Sequence, residues 1–358
     1  MVEFRLRFLS ILLAPTNHFI GVIGGTDMQA FWGSGIQLIQ ALQTIPWLVA
    51  PMKLLSFLGS EEFFLFMPPL LYWCVDTALG LRVGLIILFS TWSNVVLKVL
   101  LHDPRPYWIS SDVNAYASEV SFGVPSGHSQ SAVSVWGMIA YYVNRRWVWA
   151  LCVAVIVFIG ISRMYLGVHF PTDVLVGWLA GIVLLLCFIK FWNPIATWLG
   201  RLSFGGQILV AFLVSLGFIV AMWLATLPLR NWSIPAEWIR NVAAAFPDGP
   251  MPDPVSMEDP ITAAGTLFGL ALGLAWFNRR GGFAIDGSIG QRTVRFLIGL
   301  AGLAILYLGL KLIFPSGDGA LPYLFRYVRY GLIGAWVSGG APWLFVRLKL
   351  AKSKTANT

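Results

Sequence analysis

Apolar residues come along this chain in long blocks, separated by short polar stretches rich in Lys, Arg, Pro or Gly. Blocks near the ~20 residues that cross a hydrocarbon core recur at 62–80, 83–101, 129–143, 147–162, 172–189, 208–227, 261–277, 294–314 and 321–345. They predict an all-α fold, a polytopic membrane helical bundle of about nine transmembrane helices. The stretch 36–59 is different. Gln37, Gln40 and Gln43 fall three apart on one helical face, and two prolines and Lys53 follow. That pattern predicts a helix lying in the interface, with a tenth span as the alternative. The opening "FRLRFLSILLAP" has the layout of a weak signal peptide, but no small-residue cleavage site follows, so it is expected to be retained.

Composition agrees with a membrane solvent. The chain is 58% hydrophobic and 11% charged, with a mean hydropathy of +0.76, against roughly 25% charged residues in soluble domains. The net charge of +8 does not gather on an aromatic-studded soluble face, so no nucleic-acid partner is expected. Basic residues sit instead in connections on one side: Arg82, Arg145, Arg146, Lys190, Arg201, Arg279, Arg280, Arg292, Arg295, Arg347, Lys349, Lys352 and Lys354. Most Asp and Glu lie on the other side. The positive-inside rule makes the basic side, with the C-terminal tail, cytoplasmic. Connections 102–128, 163–171, 228–260 and 315–320 then face the periplasm, exterior or lumen. Cys74, Cys152 and Cys187 lie inside apolar runs and read as small hydrophobes, with neither disulfide nor metal spacing.

Three blocks on the outer side hold the chemistry. In "KVLLHDPRP", Lys98 ends a span, and Pro104 and Pro106 stop the helix so that Arg105 can fold back toward Lys98. Two cations held together call for an anion between them, although Lys98 alone is equally explained by snorkelling. In "VPSGHSQ", Ser126, Gly127 and His128 open a helix whose first N–H groups are available to an oxyanion; a plain helix cap is the alternative. In "SRMYLGVHFPTDV", His169 lies four residues before Asp173, a spacing that lets a carboxylate fix the imidazole tautomer. Arg163 adds a third cation, and a structural hydrogen bond would explain the His/Asp pair by itself.

Together the blocks point to phosphoryl chemistry without a metal or other cofactor. Lys98, Arg105 and Arg163 would hold the phosphate, and His169, oriented by Asp173, would attack phosphorus. His128 would protonate the leaving oxygen. No His-Glu-x-x-His or Cys/His cluster supplies a zinc site. Lys98-x6-Arg105-Pro106, Pro125-Ser126-Gly127-His128 and Ser162-Arg163-x5-His169-x3-Asp173 resemble the tripartite signature of the type 2 phosphatidic acid phosphatase superfamily. The resemblance implies the same roles, adds phosphate contacts from the Ser126 and Gly127 backbone, and implies an extracytoplasmic site. The nine-span plan, "RPYW" and "GTLFGLALG" are similar to the glucose-6-phosphatase and sphingosine-1-phosphate phosphatase branch.

These readings give one integral membrane domain over 1–358, a catalytic core at 60–191 and further transmembrane helices within 200–348. The expected partners are the lipid bilayer and a phosphorylated substrate. The expected activity is hydrolysis of a phosphate monoester or diphosphate, with a lipid phosphate as the leading substrate. A soluble sugar phosphate, or transfer to an acceptor alcohol at the same site, is the alternative, and a transporter is the reading from another class. His18 carries no assignment, and His102 is expected to be structural. Glu119 reads as a solvated loop acid, with orientation of a catalytic group as the alternative. Arg326 and Arg329 read as snorkelling residues or as a basic rim for an anionic headgroup, with Lys311 nearby. Loop 228–260 is expected to be a tether or a lid.

Overall fold

A computed structural model describes residues 25–354, with side chains from Trp32 onward. The opening stretch 4–15 and His18 lie outside the described residues. Among the described residues the protein is helical throughout, and the one β contact is an isolated bridge between Ala284 and Lys352.

The N-terminal segment is not one interfacial helix. Helix α1 (Gly25–Gln43) and α2 (Val49–Phe57) are separated by a 3-10 turn at Pro46–Leu48 and cross at 89°. Pro46 has no N–H to continue the helical ladder, which accounts for the break. Gln37 is exposed, whereas the other two glutamines bond protein. Gln43 Nε2 donates to the carbonyls of Asn114 (2.7 Å) and Tyr165 (2.8 Å), and Gln40 Nε2 reaches the Asp112 carbonyl at 3.4 Å.

Helix α3 (Glu61–Leu70) starts at the Ser60 cap and contains Pro68 and Pro69, after which Leu71–Val75 winds as a π turn. The chain reverses at Asp76, earlier than hydropathy alone predicts, because the Asp76 carboxylate accepts the N–H groups of Ala78 (2.8 Å) and Leu79 (2.9 Å). Helix α4 (Thr77–Leu101) therefore begins six residues before the predicted span and ends at His102, which adopts the left-handed conformation. A short α5 (Pro106–Ile109) follows. Then come α6 (Gly127–Val143), α7 (Arg146–Tyr165), α8 (Pro171–Arg201) and α9 (Phe204–Thr226). Loop 228–260 carries α10 (Ala236–Ala245). The C-terminal part comprises α11 (Glu258–Asn278), α12 (Ile289–Ile313), α13 (Ala320–Ala335), a π turn at Trp336–Gly340 and α14 (Ala341–Arg347).

Six of the described helices are long and apolar enough to cross a membrane: Thr77–Ile109, Arg146–Tyr165, Pro171–Arg201, Phe204–Leu229, Glu258–Asn278 and Ile289–Ile313. The bent pair at the N-terminus makes up to seven if it is one span. The other three predicted spans form helices that are shorter or broken: α3, the 17-residue α6, and α13 with its π turn. The protein is thus a polytopic helical membrane protein.

The ends of α4 and α7 and the starts of α6 and α8 meet at one end of the bundle. The connections there build their own apolar core, in which Trp108, Phe122, Tyr165, Val168 and Phe170 pack with Ile39 and Met222. Helices α11 and α13 come into backbone contact. Gly265, Gly269 and Gly273 recur every four residues on α11, and a Cβ on Gly269 would stand 1.7 Å from the Gly331 carbonyl oxygen. Small residues at this spacing let helices approach where water cannot drive association. Replacing Gly269 by Ala is expected to destabilise the fold by about 1–3 kcal/mol through overpacking. Gly217→Ala, where nothing lies within 4 Å, should leave it unchanged. Thermal unfolding in detergent, followed by tryptophan fluorescence, checks the pair.

Candidate active site

Each side chain that the three blocks single out is delivered by a helix end. Lys98 lies in the last turn of α4 and Arg105 is the N-cap of α5. Ser126 is the N-cap of α6, with Gly127 and His128 in its first turn. Arg163 lies in the last turn of α7. Phe170 is the N-cap of α8, which places His169 just before the helix and Asp173 at its third position.

Arg105 is fully buried, and its donors are all occupied. Nε donates to the Ser121 carbonyl (2.6 Å), and Nη2 to Ser121 Oγ (3.2 Å) and the Phe122 carbonyl (3.1 Å). Nη1 donates to the Val168 carbonyl (3.0 Å) and to His169 Nε2 (3.1 Å). Lys98 Nζ, also buried, donates to the same Phe122 carbonyl. The two cations thus converge on one acceptor.

A guanidinium has only donors, so His169 Nε2 must accept. The imidazole proton is then on Nδ1, from which it is donated to Asp173 Oδ2 at 3.1 Å. The same oxygen accepts the Phe170 N–H at 2.9 Å. The helix does not extend through His169, as the spacing of four suggested; Asp173 reaches back from the first turn as a capping carboxylate. His169 is buried. Its burial, followed by the charges of Arg105, Lys98 and Arg163, holds the imidazole well below the ordinary histidine range and therefore neutral.

The second and third blocks are tied by backbone. Ser126 N–H donates to the Asp173 carbonyl at 2.9 Å, and Ser126 Oγ accepts from Ser129 Oγ at 3.0 Å. The Ser126 N–H is therefore engaged by the third block in this structure. Among the described residues no acceptor lies on the N–H groups of Gly127 and His128. A buried network supports this terminus from below: Asn94 Nδ2 donates to the Pro125 carbonyl (3.2 Å) and Gln130 Oε1 (2.9 Å), and Gln130 Nε2 donates to the Ser90 carbonyl (3.0 Å). Arg163 Nη1 donates to Ser56 Oγ at 2.7 Å.

Glu119 is not a solvated loop acid. Its carboxylate bonds Arg163 Nη2 and lies 3.5 Å from Arg105 Nη2, with a quarter of the side chain exposed. Burial pushes its carboxyl up, but Arg105 and Arg163 outweigh this and hold it below the ordinary carboxylate range. Tyr107, within "RPYW", fixes the backbone there: its hydroxyl donates to the Glu119 carbonyl (2.9 Å) and accepts the Glu119 N–H (3.0 Å). The adjacent "RPYW" was the available signal, but nothing local pairs position 119 with position 163.

The remaining candidates lie elsewhere. Arg326 pairs with Glu258 (2.5 Å) and bonds Thr262 Oγ1, and Arg329 stacks on Tyr307 and Tyr330. The Arg326 charge is thus paired with a carboxylate, whereas Arg329 rests on aromatic rings. His102 Nδ1 lies 3.2 Å from the Leu100 carbonyl, at the helix end. Loop 228–260 folds over the first block: Asn241 Nδ2 donates to the Trp108 carbonyl (2.9 Å), and the Trp232 ring lies 5.5 Å from that of Phe122.

Two family models match this chain. Residues 79–196 match the PAP2 superfamily model, and residues 261–353 match the model of the PAP2 superfamily phosphatase transmembrane extension. Glucose-6-phosphatase 3 of Bos taurus is 29% identical over 354 residues, covering 88% of this chain and 96% of the relative. Phosphatidylglycerophosphatase B of Bacillus subtilis (strain 168) is 34% identical over 155 residues, covering 39% of this chain and 72% of the relative. The crystal structure of a transmembrane PAP2 type phosphatidylglycerolphosphate phosphatase from Bacillus subtilis aligns with 54% of this chain and 96% of its own. That alignment has 30% identity and a TM-score of 0.42. With the relative from Bacillus subtilis matched over most of its length, and both the core and its extension matched here, the chain belongs to the PAP2 superfamily of membrane phosphatases.

Proposed function

We propose that the protein hydrolyses a phosphate monoester on the extracytoplasmic face through a phosphohistidine on His169, without a metal. The observation that carries this reading is the Arg105–His169–Asp173 chain. An obligate donor on Nε2 and a carboxylate on Nδ1 leave a neutral imidazole whose lone pair lies on Nε2, beside the guanidinium.

In this mechanism the substrate phosphate replaces the imidazole as the partner of Arg105 Nη1. Lys98, Arg105, Arg163 and the N–H groups of Gly127 and His128 surround its oxygens. His169 Nε2 forms the bond to phosphorus as the bond to the leaving oxygen breaks, and His128 donates a proton to that oxygen. Asp173 stabilises the charge that develops on the imidazole. Water, deprotonated by His128, then attacks the phosphohistidine, releasing phosphate and restoring His169. The three cations would repel a divalent ion placed among them, so the residues suit a metal-independent reaction.

We also propose the nine-span path, with α3, α6 and α13–α14 crossing as shorter or broken helices and the basic connections on the cytoplasmic side. The apolar surround supports a lipid phosphate as substrate. A sugar phosphate is the second reading, favoured by one observation: the glucose-6-phosphatase relative covers 88% of the chain, including the C-terminal helices, whereas the phosphatidylglycerophosphatase covers 39%.

Two predictions test the reading. Purified protein in detergent should release phosphate from p-nitrophenyl phosphate in the presence of EDTA. His169→Ala should abolish this release, and His128→Ala should lower it by about 10²–10⁴-fold. Activity that needs a metal, or that survives His169→Ala, contradicts the mechanism. The second prediction concerns pH. The unfolded chain protonates His169 near the usual ~6.5, whereas the native imidazole, facing Arg105, Lys98, Arg163 and Asp173, takes up the proton only at much lower pH. Below pH ~6.5 the unfolded state therefore binds more protons, and stability falls as pH falls. Lowering the pH from 7.5 to 5 should depress the melting temperature of wild type more than that of His169→Asn. An equal or steeper drop in the variant contradicts a neutral buried imidazole.

A further inference from the structure

Two features that the catalytic reading leaves unused meet at Trp276. The first is a groove. Helices α11 and α12 both have the length and apolarity of membrane spans, yet in α12 only Arg295 and Gly299 are buried. Helix α12 leans on α13 and the π turn rather than on α11. Trp336 is held against it at Gly299, whose carbonyl accepts the Trp336 Nε1–H at 3.0 Å. An apolar groove of about 430 Å³ is left between Leu272 and Trp276 of α11, Leu306 of α12, Leu332 and Ala335 of α13, and Trp336. That volume is within the range of sites that take organic ligands.

The second feature is a basic edge at the mouth of this groove. Arg280 lies one turn beyond Trp276. Its guanidinium stacks 4.4 Å from the centre of the Trp276 ring, and Nη1 donates to the Trp276 carbonyl at 3.4 Å. The chain's tail returns to the same place. Ala284 N–H donates to the Lys352 carbonyl at 2.8 Å, and Lys354 Cδ would stand 3.9 Å from a Cβ on Gly282. Arg280, Lys352 and Lys354 are all exposed, and among the described residues none of them pairs with a carboxylate. Asp286, the acidic residue in the connection after α11, gives Arg295 only its carbonyl. The catalytic end is remote: the segment leading into α11 meets it through the Asp253 N–H and the Val120 carbonyl. Trp276 and Arg280 lie at the other end of that 21-residue helix, roughly 30 Å away.

We propose that groove and edge form one binding site for an anionic phospholipid of the leaflet on the basic side. An acyl chain lies between α11, α12 and α13, and the headgroup phosphate rests on Arg280, Lys352 and Lys354. Inside the hydrocarbon region the groove gains nothing by excluding water, because any lipid tail fills it alike. Selection therefore falls to the headgroup. A guanidinium and two ammonium groups supply charged donors to a phosphodiester, whereas the choline cation of a zwitterionic lipid is repelled by them. Trp276 belongs to both parts, with its ring in the groove wall and under Arg280, at the depth where tryptophan anchors helices at the membrane interface.

The test uses full-length protein in detergent, incubated with equal amounts of dioleoyl phosphatidylglycerol and dioleoyl phosphatidylcholine, whose tails are identical. Bound lipid is counted by native mass spectrometry. Wild type should retain one phosphatidylglycerol in preference to phosphatidylcholine by about tenfold or more. The combined variant Arg280→Gln, Lys352→Gln, Lys354→Gln should lose that preference. Leu332→Trp, which adds bulk at an exposed groove position, should lose the retained lipid of either kind, and Leu306→Trp repeats this from the opposite wall. Lipid-free melting temperatures equal to wild type show that a lost adduct reports binding and not unfolding. Equal retention of the two lipids by wild type, or a preference that survives the triple variant, overturns the proposal. So does an adduct that survives both tryptophan variants. A dimer that replaces the adduct and dissociates in Leu332→Trp assigns the groove to a second copy and overturns it as well.

Discussion

A guanidinium sealed from water at the end of a helical bundle constrains everything around it. Arg105 carries a charge that cannot be neutralised by deprotonation, so its donors must be met by the protein. They are met by carbonyls from the loop before the second block, by the Val168 carbonyl and by the imidazole of His169. Satisfying one residue therefore fixes the 119–122 segment, the 166–170 turn and the orientation of the histidine. The resulting imidazole is neutral and has a defined lone pair, which is what a nucleophile toward phosphorus requires.

The bundle supplies the frame for that residue. Four helix ends meet at one level, and each presents what its terminus naturally offers: a lysine and an arginine in last turns, unpaired N–H groups at a start, and a capping carboxylate at another start. The loops are held by side chains from outside the three blocks. Gln43 bonds both the Asn114 and Tyr165 carbonyls, and Tyr107 anchors Glu119. The apolar core formed by these connections keeps water from competing for the polar contacts beneath it.

Much of the site was legible in the sequence because local rules act at helix ends. Pro106 stops a helix just after Lys98, Ser126 is a good N-cap, and Pro171 is a good first residue; each marks its neighbours as terminal, and terminal polar residues in a membrane protein stand out. Hydropathy likewise located the helices, although it could not locate their breaks. The π turns after Pro69 and at Trp336–Gly340 depend on packing against other helices, and Asp76 ends a run that hydropathy alone continues. What remained hidden was long-range pairing. Glu119 meets an arginine 44 positions away, and Gln43 meets carbonyls 71 and 122 positions away. Neither has a periodic signature, so each read as an ordinary loop or interfacial residue. The Asp173 carbonyl that the Ser126 N–H meets was hidden for the same reason, because it belongs to another helix.

The most direct test of the account is to trap the covalent intermediate. Purified enzyme should be mixed with substrate carrying a labelled phosphate, quenched within the first turnover under alkaline denaturing conditions, digested and mapped. The account predicts a base-stable, acid-labile phosphate on the peptide containing His169. A first turnover that passes without any covalent label, or a label carried by another residue, would contradict it.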